Sequence, residues 1–248
     1  MKRERITIFL LWMVCMMFAI ITLGQNQKQN LLQEIKCTPP RFTGIKGTVP
    51  ILTEEKFQTI ESYLMKQIEY PENDLTYLRQ GTEVVSFVVA PTGDLSDFHV
   101  INSLSSQIDD QVINALKSTN GMWKPGFNDD KAVAMDKEIS IIFKISDIGL
   151  NDFQVLARKY YAHGSALLFT KSNPKKALRT LERGVTLLPS DKGLLVLRGL
   201  TRYELGNKEG ALKDWTRVKT LGGFESEGYL ENFENMKGYA EMTQILEK

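Results

Sequence analysis

Histidine and cysteine are scarce, with two of each in 248 residues. His99 and His163 stand far apart in the chain and neither has metal-ligand company, so no metal centre is expected. His99 falls on the polar side of a predicted strand, where it is solvated. His163, with Gly164, falls inside a helical stretch, where packing is its expected role. No glycine-rich phosphate loop follows a strand, and there is no nucleophile elbow. The acidic pairs Asp109-Asp110 and Asp129-Asp130 open a helix and occupy a turn. No residue therefore qualifies as catalytic, cofactor-binding or metal-binding, and the chain reads as a non-enzyme with no cofactor. Excess charge is missing too. The net charge is +1, with no basic run and no RNA-type aromatic motif, which leaves nothing to neutralise phosphates and excludes nucleic acid as a partner.

Cys15 lies within an apolar stretch, and Cys37 follows Gln33-Glu34-Ile35-Lys36, which is no lipobox. Lipid attachment is not expected. In an oxidising compartment Cys37 is either an intermolecular disulfide partner or an unpaired bystander.

What is present is ordinary for a globular chain: 42% hydrophobic and 25% charged residues, enough for one large or two small domains. Lys2, Arg3 and Arg5 precede an unbroken apolar stretch over residues 6–23, followed by Gln25-Asn26-Gln27. That order marks export. Thr22 and Gly24 suit a cleavage site, while 18 apolar residues also reach the short limit for a span. Residues 1–24 are thus a signal peptide or a membrane anchor. Both place the body in the periplasm, secreted across the inner membrane or anchored to it by residues 6–23, and the membrane is touched only through an uncleaved segment.

Residues 25–52 read as a lead-in linker, and residues 53–147 as the first domain. Thr53 with Glu54-Glu55 predicts a helix over residues 53–70, ended by Pro71. Val85, Phe87 and Val89 alternate with Val84, Ser86 and Val88 as in a strand. Pro91-Thr92-Gly93-Asp94 is a tight turn leading to a second strand, with Phe98 and Val100 on one face. Ser106-Gln107-Ile108-Asp109 has the form of a capping box, with Ile108, Val112, Ala115 and Leu116 along one helical stripe. Met122-Trp123-Lys124-Pro125-Gly126 reads as a compact turn. Ile139, Ile141, Phe143 and Ile145 share one face of a last strand. A three-stranded antiparallel sheet backed by two helices would bury all these faces together.

Tyr70-Pro71, the strand over residues 84–89, Gly93-Asp94, Trp123-Lys124-Pro125-Gly126 and the strand over residues 139–145 together resemble, in order and spacing, the C-terminal domain of TonB-type proteins. Pro39-Pro40-Arg41-Phe42 with Gly44 is similar to the lead-in common in that family. The resemblance implies that an extended segment of a partner pairs with an exposed sheet edge. That edge would be Ile139, Ser140, Ile141, Ile142, Phe143, Lys144 and Ile145, with Tyr70 and Pro71 beside it. Lys137, Glu138 and Lys144 could equally blunt the edge against pairing. Energy-transducing TonB proteins carry a long proline-rich stalk, and this chain does not. Residues 25–36 between the apolar stretch and the domain span at most about 42 Å when extended.

Residues 151–248 are helical throughout. Ala177 and Ala211 are 34 residues apart, as are Leu181 and Trp215, and as are Pro189 and Gly223. That period resembles tetratricopeptide repeats, with one extra residue near Ser172-Asn173 in the first copy. Tyr229, Leu230, Phe233, Met236 and Ala240 predict an amphipathic capping helix. Val196, Leu200 and Tyr203 would line a partner groove; the alternative is a helical pair that merely packs on the sheet domain. The fold class is therefore α+β: a TonB C-terminal-like domain followed by an all-α tetratricopeptide-like domain. The expected function is a periplasmic protein–protein interaction adaptor. One module docks an extended peptide or strand of an envelope protein, with a TonB-dependent receptor among the candidates, and the other holds a second partner. A homodimer assembled through the sheet edge and an anchored transducer for outer-membrane transport stand as alternatives.

Overall fold

A computed structural model describes residues 36–44, 59–145, 152–224 and 228–247. The expected export segment, most of the lead-in, Cys15 and the helix start at Thr53 lie outside the described residues.

Strand β3 (Gly81–Val89) is the centre of a three-stranded antiparallel sheet, flanked by β4 (Leu95–Asn102) and β8 (Met135–Phe143). The turn at Pro91-Thr92-Gly93-Asp94 joins β3 to β4. Gly93 has φ +85 and packs against the Trp123 carbonyl, so a side chain there meets both backbone strain and a clash. Against the inner face lie α1 (Ile60–Leu64) and α3 (Ser106–Ser118). Leu64, Val85, Phe87, Val89, Ile108, Val112, Leu116, Trp123, Ile139, Ile141 and Phe143 form one buried cluster. Each such large apolar side chain contributes about 1.5–3 kcal/mol on full burial.

Several local expectations change. Helix α1 is capped by Thr59 and stops at Leu64 rather than running to residue 70. Turns carry the chain on through Gln67, and Tyr70 then reaches the sheet, where its ring meets Phe143 edge-on at 5.6 Å. A short helix α2 (Glu72–Thr76) then starts after Pro71, whose φ is preset for that position. The cap of α3 is Ser105, one residue before the expected box: its hydroxyl accepts from the Ile108 N–H at 3.2 Å. The stretch read as a compact turn carries β5 (Trp123–Lys124) and β6 (Gly126–Asn128), and β7 (Lys131–Val133) follows. Strand β5 pairs with β2 (Arg41–Phe42) and β6 with β1 (Cys37–Thr38) of the lead-in, while β7 pairs with β6. Phe42 inserts between Tyr63 and Trp123, 5.4 Å from each ring, which ties the lead-in to the sheet's core.

The rest of the described chain is helical: α4 (Phe153–Phe169), α5 (Pro174–Leu187), α6 (Lys192–Glu204), α7 (Lys208–Thr220), α8 (Gly228–Glu231) and α9 (Tyr239–Glu247). Helices α4 with α5, and α6 with α7, pack as pairs. The same devices recur in both. Asn173 and Asn207 cap α5 and α7 by accepting from Lys176 N–H and Gly210 N–H. Leu181 packs onto Gly164, and Trp215 packs onto Gly199, where a Cβ would collide with the facing side chain. The α4–α5 loop is one residue longer than the α6–α7 loop, and Ser172 at φ +45 takes the place of Gly206 at φ +85, each just before the capping asparagine. His163 is exposed, which corrects the packing role expected of it; the neighbouring Gly164 does the packing. His99 is exposed, as expected. The predicted capping helix is broken: a turn-rich stretch separates α8 from α9. Among the described residues, no helix is long and apolar enough to cross a membrane.

The helical part sits against the end of β3. Thr82 Oγ1 donates to the Leu187 carbonyl at 2.7 Å in a buried bond. A Cβ at Gly81 would lie 2.6 Å from the Thr186 carbonyl oxygen. This contact explains why Gly81, Thr82, Glu83 and Val84 are buried on both faces of a strand whose later second-face residues are only half-covered.

Candidate partner-binding edge

The two outer strands of the sheet differ. Strand β4 breaks register with β3 twice, between Val84 and Val85 and between Ser86 and Val88, and Asp97 adopts φ +51 at the second break. Such bulges twist a strand away from any further partner. Strand β8 pairs with β3 without interruption over nine residues, from Gly81 opposite Phe143 to Val89 opposite Met135. It ends the sheet order, so among the described residues β3 is its one sheet neighbour. Its outer side is an uninterrupted edge, the geometry that strand addition requires.

Ile139, Ile141 and Phe143 point into the core, while Ser140, Ile142 and Lys144 are exposed and Ile145 is half-buried. Ile142 is 58% exposed, an apolar side chain held at the rim with no core function. Tyr70 packs on Phe143 at the end of β8 and donates its hydroxyl to the Arg79 carbonyl. Burial, and then the nearby Asp74 charge, raise the Tyr70 hydroxyl pKa above the ordinary tyrosine value, so it stays a donor. Pro71 begins α2 beside it. The structure thus gathers Tyr70, Pro71 and the end of β8 in one place. Of the charges expected to blunt the edge, Glu138 is engaged elsewhere: both its oxygens accept from Arg217 of α7 at 2.6 Å.

The family model described as Gram-negative bacterial TonB protein C-terminal matches residues 66–145. This segment is a TonB C-terminal domain. The match spans α2 to the end of β8, with the edge strand at its close, and begins after the lead-in that β1 and β2 add to the same core. No curated protein and no solved structure matches the chain. A TonB C-terminal domain points to an envelope-associated interaction or a transport-related role.

The groove residues expected in the helical part fall differently. Val196 and Leu200 have no exposed surface and belong to the helical core, so neither is open to a partner in this structure. Helix α6 is enclosed by α4, α5, α7 and the chain after residue 228, so a face that looks free in an isolated pair is covered here. Tyr203 is half-buried, stacked on Trp215 at 5.8 Å, and donates its hydroxyl to Glu241 of α9.

Sequence reasoning left open whether the helices pack on the TonB C-terminal domain and named no residue of the seam between them. A cleft of about 680 Å³ opens there between Ile101, Asn102 and Ser103 on one side and α6 and α7 on the other. Arg198, Arg202 and Arg217 line it, each already paired with Asp214 or Glu138. The one sequence signal was the spacing of Arg198 and Arg202, four apart on a helix, which puts two cations on one face. Among the described residues, no group of three or more His, Cys, Asp or Glu side chains is placed to hold a metal ion.

Proposed function

We propose that the protein is a non-enzymatic adaptor of the periplasm. Its TonB C-terminal domain docks an extended segment of an envelope protein on the outer edge of β8, and its helices, two pairs of tetratricopeptide type, hold a second protein. The observation that carries this reading is the uninterrupted edge of β8 set against the bulged edge of β4. A strand laid beside β8 would gain main-chain hydrogen bonds along its length. Selectivity would come from Ile142 and Lys144 on one face and from Tyr70 and Pro71 at the end. Residues 53–147 and 151–248 serve as the two modules, behind an export signal or anchor in residues 1–24.

The same edge also supports pairing between two copies of the chain. The test separates the two. Ile142→Lys places a second cation beside Lys144 without touching the core, as natural edges do to resist pairing. In the adaptor reading, it weakens capture of envelope proteins by at least tenfold and leaves the mass in solution unchanged. If the wild type is a dimer by light scattering and the variant a monomer, the edge serves self-assembly. Retention of all captured partners by the variant would refute docking at β8.

A further inference from the structure

The face shared by α4 and α6, the first helix of each pair, is filled by the chain itself. The filling segment is mostly not helix: α8 ends at Glu231, turns carry the chain to Gly238, and α9 begins at Tyr239. Tyr229 passes over Gly193 near the start of α6, where an added Cβ would lie 3.1 Å from its hydroxyl oxygen. That hydroxyl meets the hydroxyl of Tyr161 on α4 at 2.8 Å. Burial, reinforced by this hydrogen bond, raises the Tyr229 pKa, so its hydroxyl stays neutral. One turn later Phe233 is buried and stacked on Phe169 at the end of α4, with ring centroids 6.1 Å apart. Lys237 then pairs with Glu204 at 3.1 Å, and Gly238 lies against the Tyr203 ring at the end of α6. The segment therefore runs beside α6 in the same direction, with Tyr229 next to Gly193 and Lys237 next to Glu204, and touches α4 along the way.

This packing is made of separate plugs rather than a continuous ridge. Two aromatic side chains four residues apart enter from one side, a lysine clasps the far end, and a glycine lets the backbone close on Tyr203. Phe169 stays 47% exposed beside Phe233, so the groove is not sealed. The chain end is held separately, by α9 packing on α7 with Met242 fully buried.

We infer that residues 228–238 are an internal occupant of a peptide groove formed by α4 and α6, displaced by a partner segment of the same chemistry: two aromatic residues four apart, then a lysine and a glycine. The inference rests on the reading of these helices as a partner-holding array and adds that the array is closed until a competitor opens it. A tethered occupant competes at an effective concentration in the millimolar range, so a partner binds more weakly than to an open groove by the fraction of time the groove is open.

The probe is a dye-labelled synthetic peptide copying residues 224–238, measured by fluorescence anisotropy against the full chain. The wild type is expected to bind it weakly. Tyr229→Ala combined with Phe233→Ala removes both plugs of the resident segment, and Lys237→Glu sets a carboxylate against Glu204 at an exposed site. The double variant is expected to bind the peptide at least tenfold more tightly than the wild type, and K237E by a smaller factor. Phe169→Ala added to either should cancel the gain. Circular dichroism reports whether each variant is folded, and K237E keeps the test decisive if the double variant unfolds. Folded variants with no gain in affinity would overturn the inference, as would a gain that survives F169A. Ile142→Lys leaves this binding unchanged, so failure at the groove and failure at the β8 edge are read separately.

Discussion

Glu83 is a carboxyl group held inside the fold. It has no exposed surface, and its Oε2 accepts from the Leu104 N–H at 2.9 Å. Its Oε1 and Asp109 Oδ1 are both buried and lack donors while both groups are ionised. A proton on Glu83 makes each the partner of the other. Burial first, opposed by the Leu104 hydrogen bond and reinforced by the Asp109 charge, pushes its pKa up to about 8. The folded state then holds a proton that the unfolded chain releases near 4.5. Stability falls as pH rises through that window, and the penalty is complete above about 8. In Glu83→Gln, the amide donates to Asp109 while its oxygen still accepts from Leu104. The melting temperature should rise on the order of 5 °C at pH 9 and change little at pH 5. A scan of melting temperature against pH checks it; parallel curves for the two proteins would mean that Glu83 is ionised in the fold.

Among elements, α6 and α7 are joined by more than apolar packing. Asp214 of α7 is 3% exposed and accepts from Arg198 at 2.6 Å and 3.1 Å and from Arg202 at 2.9 Å, both on α6. One carboxylate thus satisfies two half-buried guanidinium groups. Asp214→Ala leaves both cations without their main partner and should cost about 3 kcal/mol, measured by urea unfolding. Such elements show what the sequence discloses. Alternation in β3 and β8 and the 34-residue spacing are local or periodic, so the sheet and the helix pairs are legible before any coordinates. The end of α1 at Leu64 is not, because no proline or glycine stands between it and Tyr70. The bulges of β4 are not, because register is a property of two strands. The burial of Val196 and Leu200 depends on a segment more than 25 residues further along, which periodicity within α6 cannot report. At the candidate site, the residues of β8 could be named from pattern and resemblance. The regularity that distinguishes its edge from that of β4 could not.

Across the whole molecule, two hydrophobic clusters meet at a narrow seam, one built on the sheet and one on the helices. Among the described residues, three of the contacts across it are the buried Thr82–Leu187 hydrogen bond, the Arg217–Glu138 ion pair, and the approach of Gly81 to the Thr186 backbone. The ion pair ends on β8 itself, so the helices brace the strand whose other side is the proposed docking edge. The Gly81 approach is the least forgiving of the three. A Cβ there would sit 2.6 Å from a backbone carbonyl and 2.7 Å from Leu104 Cδ2, and a carbonyl inside a helix end cannot rotate away. Gly81→Val keeps a backbone conformation that valine tolerates in a strand, so the sheet itself should survive. The helices must then move off β3, which breaks the Thr82 bond and lengthens the Arg217 pair. Calorimetry of the wild type is expected to give one cooperative transition, because neither cluster can open without exposing the seam. G81V should split it in two, with the earlier transition losing helical signal in circular dichroism, while Thr82→Val alone costs about 1 kcal/mol and keeps a single transition. A single unshifted transition in G81V would show that the seam does not couple the clusters, and that β8 keeps its uninterrupted pairing without support from the helices.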